Sequence, residues 1–252
     1  MAIRSLGAFA VYRGASPVPQ AEWQSKKARD LLKILVARRG VPATRESLIE
    51  TLWPDQDPAL TSNRLSVVLS TVRNVLDPEH RFGPAQFVRA DRYAVTLERD
   101  RVIIDVEKFL ENARAGLSLH RANRLAEAVV ALEIAEAAYS GDFLEEDLYE
   151  DWAVSLREKA LAAYVAVARA LAGLSDDPRT TARYLCRVLE CDPYDEQTHL
   201  DLVAALATGR GAQGEARRAY RAYSTRMDEI GVEPAPYPSA AAIEKGQDPA
   251  PP

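Results

Sequence analysis

Residues 63–76 read NRLSVVLSTVRNVL, and the organisation of the first half of the chain is inferred outward from this stretch. On a helix of about 100° per residue its larger apolar side chains gather on one side, so the pattern predicts a helix with one buried face. Arg64 and Arg73 fall on the two flanks of that face. The opposite face carries short side chains with no acid among them: Asn63, Ser66, Val67, Ser70, Thr71 and Asn74.

This face of short side chains is interpreted as a DNA-reading surface. Short polar side chains hydrogen-bond to base edges in the major groove, and Val67 suits a thymine methyl group. Arg64 and Arg73 suit the phosphates on the two walls of the groove. The alternative is the solvated face of an ordinary amphipathic helix. Such a face usually carries Lys, Glu and Gln, so the composition found here favours recognition.

The segments around this helix predict a winged helix-turn-helix domain. Helical spacing of apolar residues predicts a first helix over residues 25–38, Thr44 caps a second helix, and Asp57-Pro58 begins the third. Short strands are predicted before and after the three helices, at residues 3–6, 8–12, 86–89 and 92–97. Three helices followed by a hairpin are the element order of a winged helix.

Further basic residues extend the predicted DNA interface. Residues 90–91 are the predicted turn of the hairpin, and Arg89 and Arg92 flank it. There they either hold DNA or belong to an ordinary polar turn. Lys26 and Lys27 begin the first helix, where cations oppose the helix dipole and therefore indicate an external anion.

After residue 97 the sequence predicts an all-helical domain, with helices at residues 105–117, 124–139, 151–174, 177–191, 195–208 and 214–230. Residues recur 34 positions apart, which is the tetratricopeptide period, although a generic stack of helical hairpins gives nearly the same pattern. They are Ala170, Ala182 and Leu189, followed by Ala204, Ala216 and Tyr223. We therefore expect a mainly α protein.

The predicted domains cover residues 1–97 and 98–238. Residues 235–252 are rich in proline and alanine and lack a core-forming pattern, and residues 239–252 are predicted to be a disordered tail or linker.

Composition and charge narrow the class of protein. The 252 residues are 47% hydrophobic, which excludes wholesale disorder, and no apolar run approaches the roughly 18 residues that a membrane span needs. The net charge of −5 divides into +5 over residues 1–97 and −10 over the rest, which suggests that the first half faces a polyanion. Two cysteines indicate the reducing cytoplasm.

Patterns typical of an enzyme do not emerge from the sequence. His80, His120 and His199 are scattered without partners at the spacing of a triad or a metal site. Cys186 and Cys191 are interpreted as buried structural cysteines. The acidic run at residues 145–151 is interpreted as a solvated loop that could also serve as a partner surface. We expect no catalytic residues, no metal and no cofactor.

The first half resembles the OmpR-like DNA-binding domain of SARP-type regulators at residues 25–32 (SKKARDLL), 52–55 (LWPD) and 69–77 (LSTVRNVLD). The second half resembles their tetratricopeptide-like bacterial transcriptional activator domain at residues 105–109 (DVEKF), 139–144 (YSGDFL), 150–152 (EDW) and 189–196 (LECDPYDE). The resemblance spans roughly residues 3–238.

This resemblance implies a cytoplasmic, nucleoid-associated transcriptional activator, often of secondary-metabolite genes. Such a regulator binds direct repeats in double-stranded promoter DNA and contacts RNA polymerase through a sigma factor or an alpha subunit. It also allows a homodimer on DNA. The loop before the third helix, with Asp55, Gln56 and Asp57, is the implied polymerase contact. The alternative is a tetratricopeptide-like adaptor whose winged helix contacts proteins instead of DNA.

Overall fold

The computed structural model describes residues 1–54, 56, 58–209 and 213–237. The chain divides into two compact units. The first contains Met1–Glu111 and Ala138–Ala160, and the second contains Asn112–Ala137 and the chain from Leu161 onward.

Within the described residues, the strands and three of the helices lie before residue 105, and helices follow from there onward. The strands are β1 (Ala2–Arg4), β2 (Ala10–Arg13), β3 (Ser16–Pro17), β4 (Ala43–Thr44), β5 (Val88–Ala90), β6 (Ala94–Leu97) and β7 (Ile103–Ile104). The helices are α1 (Lys26–Ala37), α2 (Arg45–Leu52), α3 (Pro58–Leu76), α4 (Asp105–Arg121), α5 (Leu125–Ala138), α6 (Asp151–Leu174), α7 (Pro178–Cys191), α8 (Glu196–Thr208) and α9 (Gln213–Glu229). Single turns of 3-10 helix cover Gln20–Trp23, Arg99–Arg101 and Glu145–Asp147. The expected mainly α fold with an N-terminal winged helix is confirmed.

The first unit contains two sheets. One has the strand order β3-β2-β1-β7, in which β1 is antiparallel to β2 and parallel to β7. The other has the order β4-β6-β5 and carries the hairpin of the wing. The sequence patterns did not predict β3, β4 or β7, because strands of two residues are too short to show an alternation.

Local capping explains where the helices of the winged helix begin. The hydroxyl of Ser25 accepts a hydrogen bond from the Ala28 amide at 3.2 Å, and the predicted cap Thr44 accepts one from the Ser47 amide at 3.1 Å. After α1, Gly40 adopts the left-handed φ of +79° that the chain needs to turn toward β4.

The turn of the wing hairpin lies two residues later than predicted, at residues 92–93 instead of 90–91. Ala90 pairs with Val95, and the Asp91 amide donates to the Ala94 carbonyl at 3.0 Å, so the loop is Arg92-Tyr93. The Asp91 carboxylate accepts hydrogen bonds from the Tyr93 and Ala94 amides at 2.7 and 2.8 Å, which lowers its pKa. This side-chain turn replaces the glycine of a typical tight hairpin.

The first unit continues past residue 97. The Asp105 carboxylate at the start of α4 accepts hydrogen bonds from the Ser5 and Leu6 amides and from the Ser5 hydroxyl, at 2.6–3.0 Å. The Leu144 amide donates to the Ser5 carbonyl at 2.8 Å. The sheet and α4 are therefore one packed structure. The predicted domain boundary at residues 97–98 stays a prediction, and the compact unit that contains residue 97 continues without a break to Glu111.

An arginine organises the loop before α6. The guanidinium of Arg157 donates to the carbonyls of Phe143, Leu144, Asp147 and Leu148 at 2.9–3.3 Å. The acidic run in this loop is mostly exposed, as the interpretation of a solvated loop requires, while Arg157 holds its backbone within the first unit.

The second unit is helical, and α8 packs against both α7 and α9. Within this unit α4 lies close to α5 at Gly116, where a Cβ atom would stand 2.8 Å from the Leu132 side chain. The sequence interpretation of the cysteines is wrong for Cys186, which is exposed, while Cys191 is half-buried. Leu185 and Val188, rather than Cys186, fill the buried face of α7.

Candidate nucleic-acid interface

The third helix has the two faces that its sequence predicts. Its buried face consists of Leu65, Val68, Leu69, Val72, Val75 and Leu76. This apolar face fixes α3 against α1 and α2, with which it makes contact. The orientation of the opposite face is therefore set by packing.

The opposite face of α3 is exposed to solvent. Its exposed residues are Asn63, Arg64, Ser66, Val67, Ser70 and Asn74. Val67 is 67% exposed and supplies the one large apolar side chain of this face among the described side chains. The face carries no acidic residue along the whole of α3.

Thr71 does not belong to this exposed face. It is only 6% exposed, and its hydroxyl donates to the Val67 carbonyl at 3.2 Å. Thr71 lies three residues after Val68 and four before Val75, so its side chain falls at the edge of the buried face. The prediction that Thr71 belongs to the exposed arc is wrong.

Arg73 links α3 to strand β5 of the wing. Its Nε and Nη2 atoms donate to the Val88 carbonyl at 3.2 and 3.0 Å. Burial, together with the charge of Arg45, lowers the pKa of Arg73. Two of the five N–H donors of Arg73 are directed at β5, so its predicted phosphate contact would use the other three, two of which are on Nη1.

The structure adds Arg45, which the sequence analysis missed. Its guanidinium donates to the Ser66 hydroxyl at 3.0 Å, and its backbone amide donates to the Tyr93 carbonyl at 2.9 Å. Arg45 thus lies where α2, α3 and the wing meet. Like Lys26, it stands in the first turn of a helix, and that unfavourable placement was the available signal.

The other flanking arginine of α3 is fully accessible. Arg64 is exposed, and its Nη1 donates to the Gln56 side-chain carbonyl at 2.6 Å. Gln56 is itself exposed. Asp55 and Asp57, the other residues predicted to contact the polymerase, lie outside the described residues.

The two predicted arginines of the wing occupy different environments. Arg89 lies on β5 opposite Thr96, and its Nε forms an ion pair with Glu98 at 2.7 Å. Arg92 lies in the loop itself, 4.5 Å from the centre of the Tyr93 ring, which is 65% exposed. The tip of the wing therefore presents Arg92 and Tyr93, and Arg89 stands behind them.

Lys26 and Lys27 lie in the first turn of α1. Burial raises the pKa of the nearby Asp30 carboxyl, and the charges of both lysines oppose that shift. Among the contacts of the described residues, none links either lysine to α3 or to the wing. The lysines thus have an acidic neighbour within their own helix.

The described part of the chain holds no cluster of His, Cys, Asp and Glu able to bind a metal ion. Within the same residues, no helix is long and apolar enough to cross a membrane.

An exposed acid-free helix face beside a wing, followed by a helical unit, is the architecture of a transcriptional regulator of the SARP type. The chain belongs to the family of the bacterial transcriptional activator domain, which matches residues 104–241. The family described as the C-terminal domain of transcriptional regulatory proteins matches residues 21–89.

Among known proteins, the chain is similar to the transcriptional regulatory protein EmbR of Mycobacterium bovis and of Mycobacterium tuberculosis, with 25% identity over 236 residues. The match covers 92% of this chain and 59% of those relatives. The solved structure of Mycobacterium tuberculosis EmbR in complex with a low-affinity phosphopeptide matches with a TM-score of 0.74 and 25% identity. That match covers 98% of this chain and 65% of the other.

Proposed function

We propose that this chain binds double-stranded promoter DNA with α3 in the major groove and the wing beside it. The observation that carries the proposal is the exposed, acid-free face of α3 next to Arg45 and Arg73. Two guanidinium groups that repel each other are stabilised when an anion such as a phosphate approaches both.

In this arrangement the residues divide into two roles. Asn63, Ser66, Val67, Ser70 and Asn74 face the base edges, where amides and hydroxyls pair with donors and acceptors. Four basic side chains, from Arg45, Arg64, Arg73 and Arg92, contact the sugar–phosphate backbone and fix the register.

The base-reading role is tested on the best site selected from a random DNA pool. Asn74→Ala should cost about 1–3 kcal/mol on that site and less on unrelated DNA, because an amide that reads adenine gains little elsewhere. Thr71→Ala is the matched control on the same helix. Its side chain is buried, so it should leave the ratio of specific to unspecific affinity unchanged. Equal losses on both DNAs for Asn74→Ala would contradict base reading.

We further propose that the chain activates transcription by recruiting RNA polymerase, as a cytoplasmic, nucleoid-associated regulator of secondary-metabolite genes. Residues 1–97 would bind direct repeats, with two copies of the chain meeting on the DNA, residues 98–238 would meet protein partners, and residues 239–252 would form a tail or linker. The family membership supports regulation, and the exposed Gln56 supports an accessible loop before α3.

The polymerase contact is tested by reversing one charge in the loop formed by Asp55, Gln56 and Asp57. Asp55→Arg should leave operator affinity intact or slightly raised, because it adds a cation near DNA, while transcription in vitro falls. Operator binding and transcription are measured with the same purified variant. Unchanged transcription would place the polymerase contact elsewhere.

A further inference from the structure

The segment after α9 folds back onto the helical unit. Residues 232–237, called here the strap, follow a turn in which Gly231 has a φ of +70° and the Val232 amide donates to the Met227 carbonyl at 3.0 Å. The tail or linker predicted from composition begins at residue 239, outside the described residues, and the contacts of the strap continue the folded unit as far as Tyr237.

Two tyrosine hydroxyls hold both backbone groups of one strap residue. The Ala235 amide donates to the Tyr223 hydroxyl at 2.7 Å, and the Tyr220 hydroxyl donates to the Ala235 carbonyl at 2.9 Å. The Tyr237 ring packs edge-on against the Tyr220 ring, with 5.2 Å between their centres. We call Tyr220 and Tyr223 the tyrosine clasp.

Contacts outside the strap hold the clasp in place. Tyr223 has no exposed surface, and its hydroxyl donates to the Glu196 carboxylate at 2.6 Å. Its ring lies 5.6 Å from the His199 ring and 5.8 Å from the Tyr220 ring. Burial and the Glu196 bond raise the pKa of Tyr223. Because these partners belong to α8 and α9, the clasp is preorganised and keeps its shape when the strap leaves.

The strap has the chemical features of peptides that bind in grooves lined by aromatic side chains. Pro234 and Pro236 flank Ala235, and proline has no amide hydrogen, so Ala235 carries the one backbone donor of this tripeptide. Prolines also hold a segment extended before it binds, which lowers the entropy lost on docking. Grooves lined with aromatic side chains recognise proline-rich segments in this way.

Part of the strap is open to solvent. Glu233 and Pro236 are exposed, and Val232 is 40% exposed. The Val232 amide, the two clasp bonds and the Tyr237 ring join the strap to α9.

We propose that the tyrosine clasp, with Glu196 behind it, is a binding site for an extended, proline-flanked polypeptide segment with an aromatic residue two positions after the clasped one. The chain's own strap fills this site, and a partner segment of the same chemistry binds when it displaces the strap. The strap is therefore an internal competitor.

The test uses the full chain carrying Ala235→Pro and Tyr237→Ala, which removes the amide donor and the aromatic ring of its own strap. A synthetic peptide with the sequence of residues 231–238, GVEPAPYP, is titrated into this opened chain by calorimetry. We expect saturable binding, and about tenfold weaker binding to the unmodified chain, whose tethered strap is present at an effective concentration of millimolar order.

Two matched controls define the contact. A peptide with the same two replacements should not bind the opened chain. Tyr220→Phe in the opened chain should weaken binding, because the ring stays but the hydroxyl donor to the peptide carbonyl is lost. If the opened chain keeps its helical circular dichroism and does not bind the unmodified peptide, the proposal is wrong.

A second measurement works on the unmodified chain and does not depend on how the variants fold. Hydrogen exchange should show the Ala235 amide protected, and millimolar unlabelled peptide should remove that protection by displacing the strap. An Ala235 amide that exchanges freely without peptide, or that stays protected at millimolar peptide, would overturn the proposal.

Discussion

Two groups of cations in the first unit differ in what they contact. The paired cations Arg29, Lys33, Arg39 and Arg99 each meet a carboxylate of residues 107–147. Three further cations around α3 and the wing, Arg45, Arg73 and Arg92, are called here the unpaired cations. They contact a hydroxyl, a carbonyl and an aromatic ring, respectively. Within the described residues, none of these three forms an ion pair.

This difference separates structural charge from charge available to a ligand. Lys33 is 3% exposed, and its Nζ lies 2.5 Å from a carboxylate oxygen of Asp147, so its charge is neutralised inside the fold. Burial and, to a smaller extent, the charge of Arg45 lower the pKa of Arg73, so these two positive charges lie close enough to add to each other. Of the cations counted in the +5 of residues 1–97, Arg29, Lys33 and Arg39 are paired with carboxylates that lie beyond residue 97. The charges of Arg45, Arg73 and Arg92 are not offset in this way, so they add to the field that DNA would meet.

The largest expected effect comes from removing the partners of the paired cations altogether. A chain of residues 1–97 lacks β7, the Asp105 carboxylate that holds the Ser5 and Leu6 amides, and the partner of Lys33. We expect no cooperative thermal transition by circular dichroism, whereas the full chain unfolds cooperatively.

A chain of residues 1–111 is the matched comparison for this truncation. It restores β7 and Asp105 but leaves Lys33 without Asp147, so its stability should lie between the other two. A cooperative transition for residues 1–97 at the temperature of the full chain would show that the paired cations are dispensable.

Breaking one buried pair should give the next largest effect. Asp147→Ala removes the nearest carboxylate of the buried Lys33 ammonium and leaves it with the more distant Glu146, 3.7 Å away, and the face of the Phe9 ring. The free energy of unfolding should fall by about 3–5 kcal/mol. Urea denaturation measures the change. Glu79→Ala, which removes an exposed pair with Arg81, is the control and should change little. Similar small losses for both variants would erase the distinction between the two groups.

The unpaired group is tested through the salt dependence of DNA binding. Arg45→Ala should weaken binding to all sequences and reduce the slope of log K against log salt by about one unit, because one phosphate contact is lost. Arg89→Ala is the matched control, since Glu98 already pairs with it and its loss should change the slope less. Equal slopes for Arg45→Ala and the unmodified chain would remove Arg45 from the interface.

The smallest expected effect is a pH dependence of the free energy of unfolding, which arises from Glu107, the carboxylate partner of two of the paired cations. Burial raises the pKa of Glu107, but the hydrogen bond and charge of Arg39 and the charge of Arg99 outweigh it, so the net pKa is lowered. A lowered carboxyl pKa stabilises the fold above the ordinary value of about 4.3, and this stabilisation is lost as the pH falls below it.

Urea denaturation of the unmodified chain and of Glu107→Gln between neutral and acidic pH measures this contribution. The advantage of the unmodified chain should be full near neutral pH and should shrink in the acidic range. An advantage that stays constant down to the lowest pH at which the chain folds would contradict the lowered pKa.

Local sequence patterns were enough to predict where the helices lie and which face of α3 is buried. Apolar residues at helical spacing placed α6 at residues 151–174 without error, and Thr44 marked the start of α2. Both are local properties, because periodicity and capping depend on residues within one or two turns of each other. The family resemblance likewise rests on local motifs, and it placed the winged helix before the helical domain correctly.

Long-range packing, which no local pattern shows, determines which charged and polar side chains stay exposed and without an ion-pair partner. Lys33 and Asp147 are 114 positions apart, and Ser5 and Asp105 are 100 apart, so no local pattern joins them. Thr71 looked exposed on a helical wheel, yet packing at the edge of the apolar face buries it. Arg45 gained its place in the interface from Ser66 and the Tyr93 carbonyl, which reach it from other elements. Long-range contacts assign these roles because burial and ion pairing depend on what the fold brings within a few ångströms.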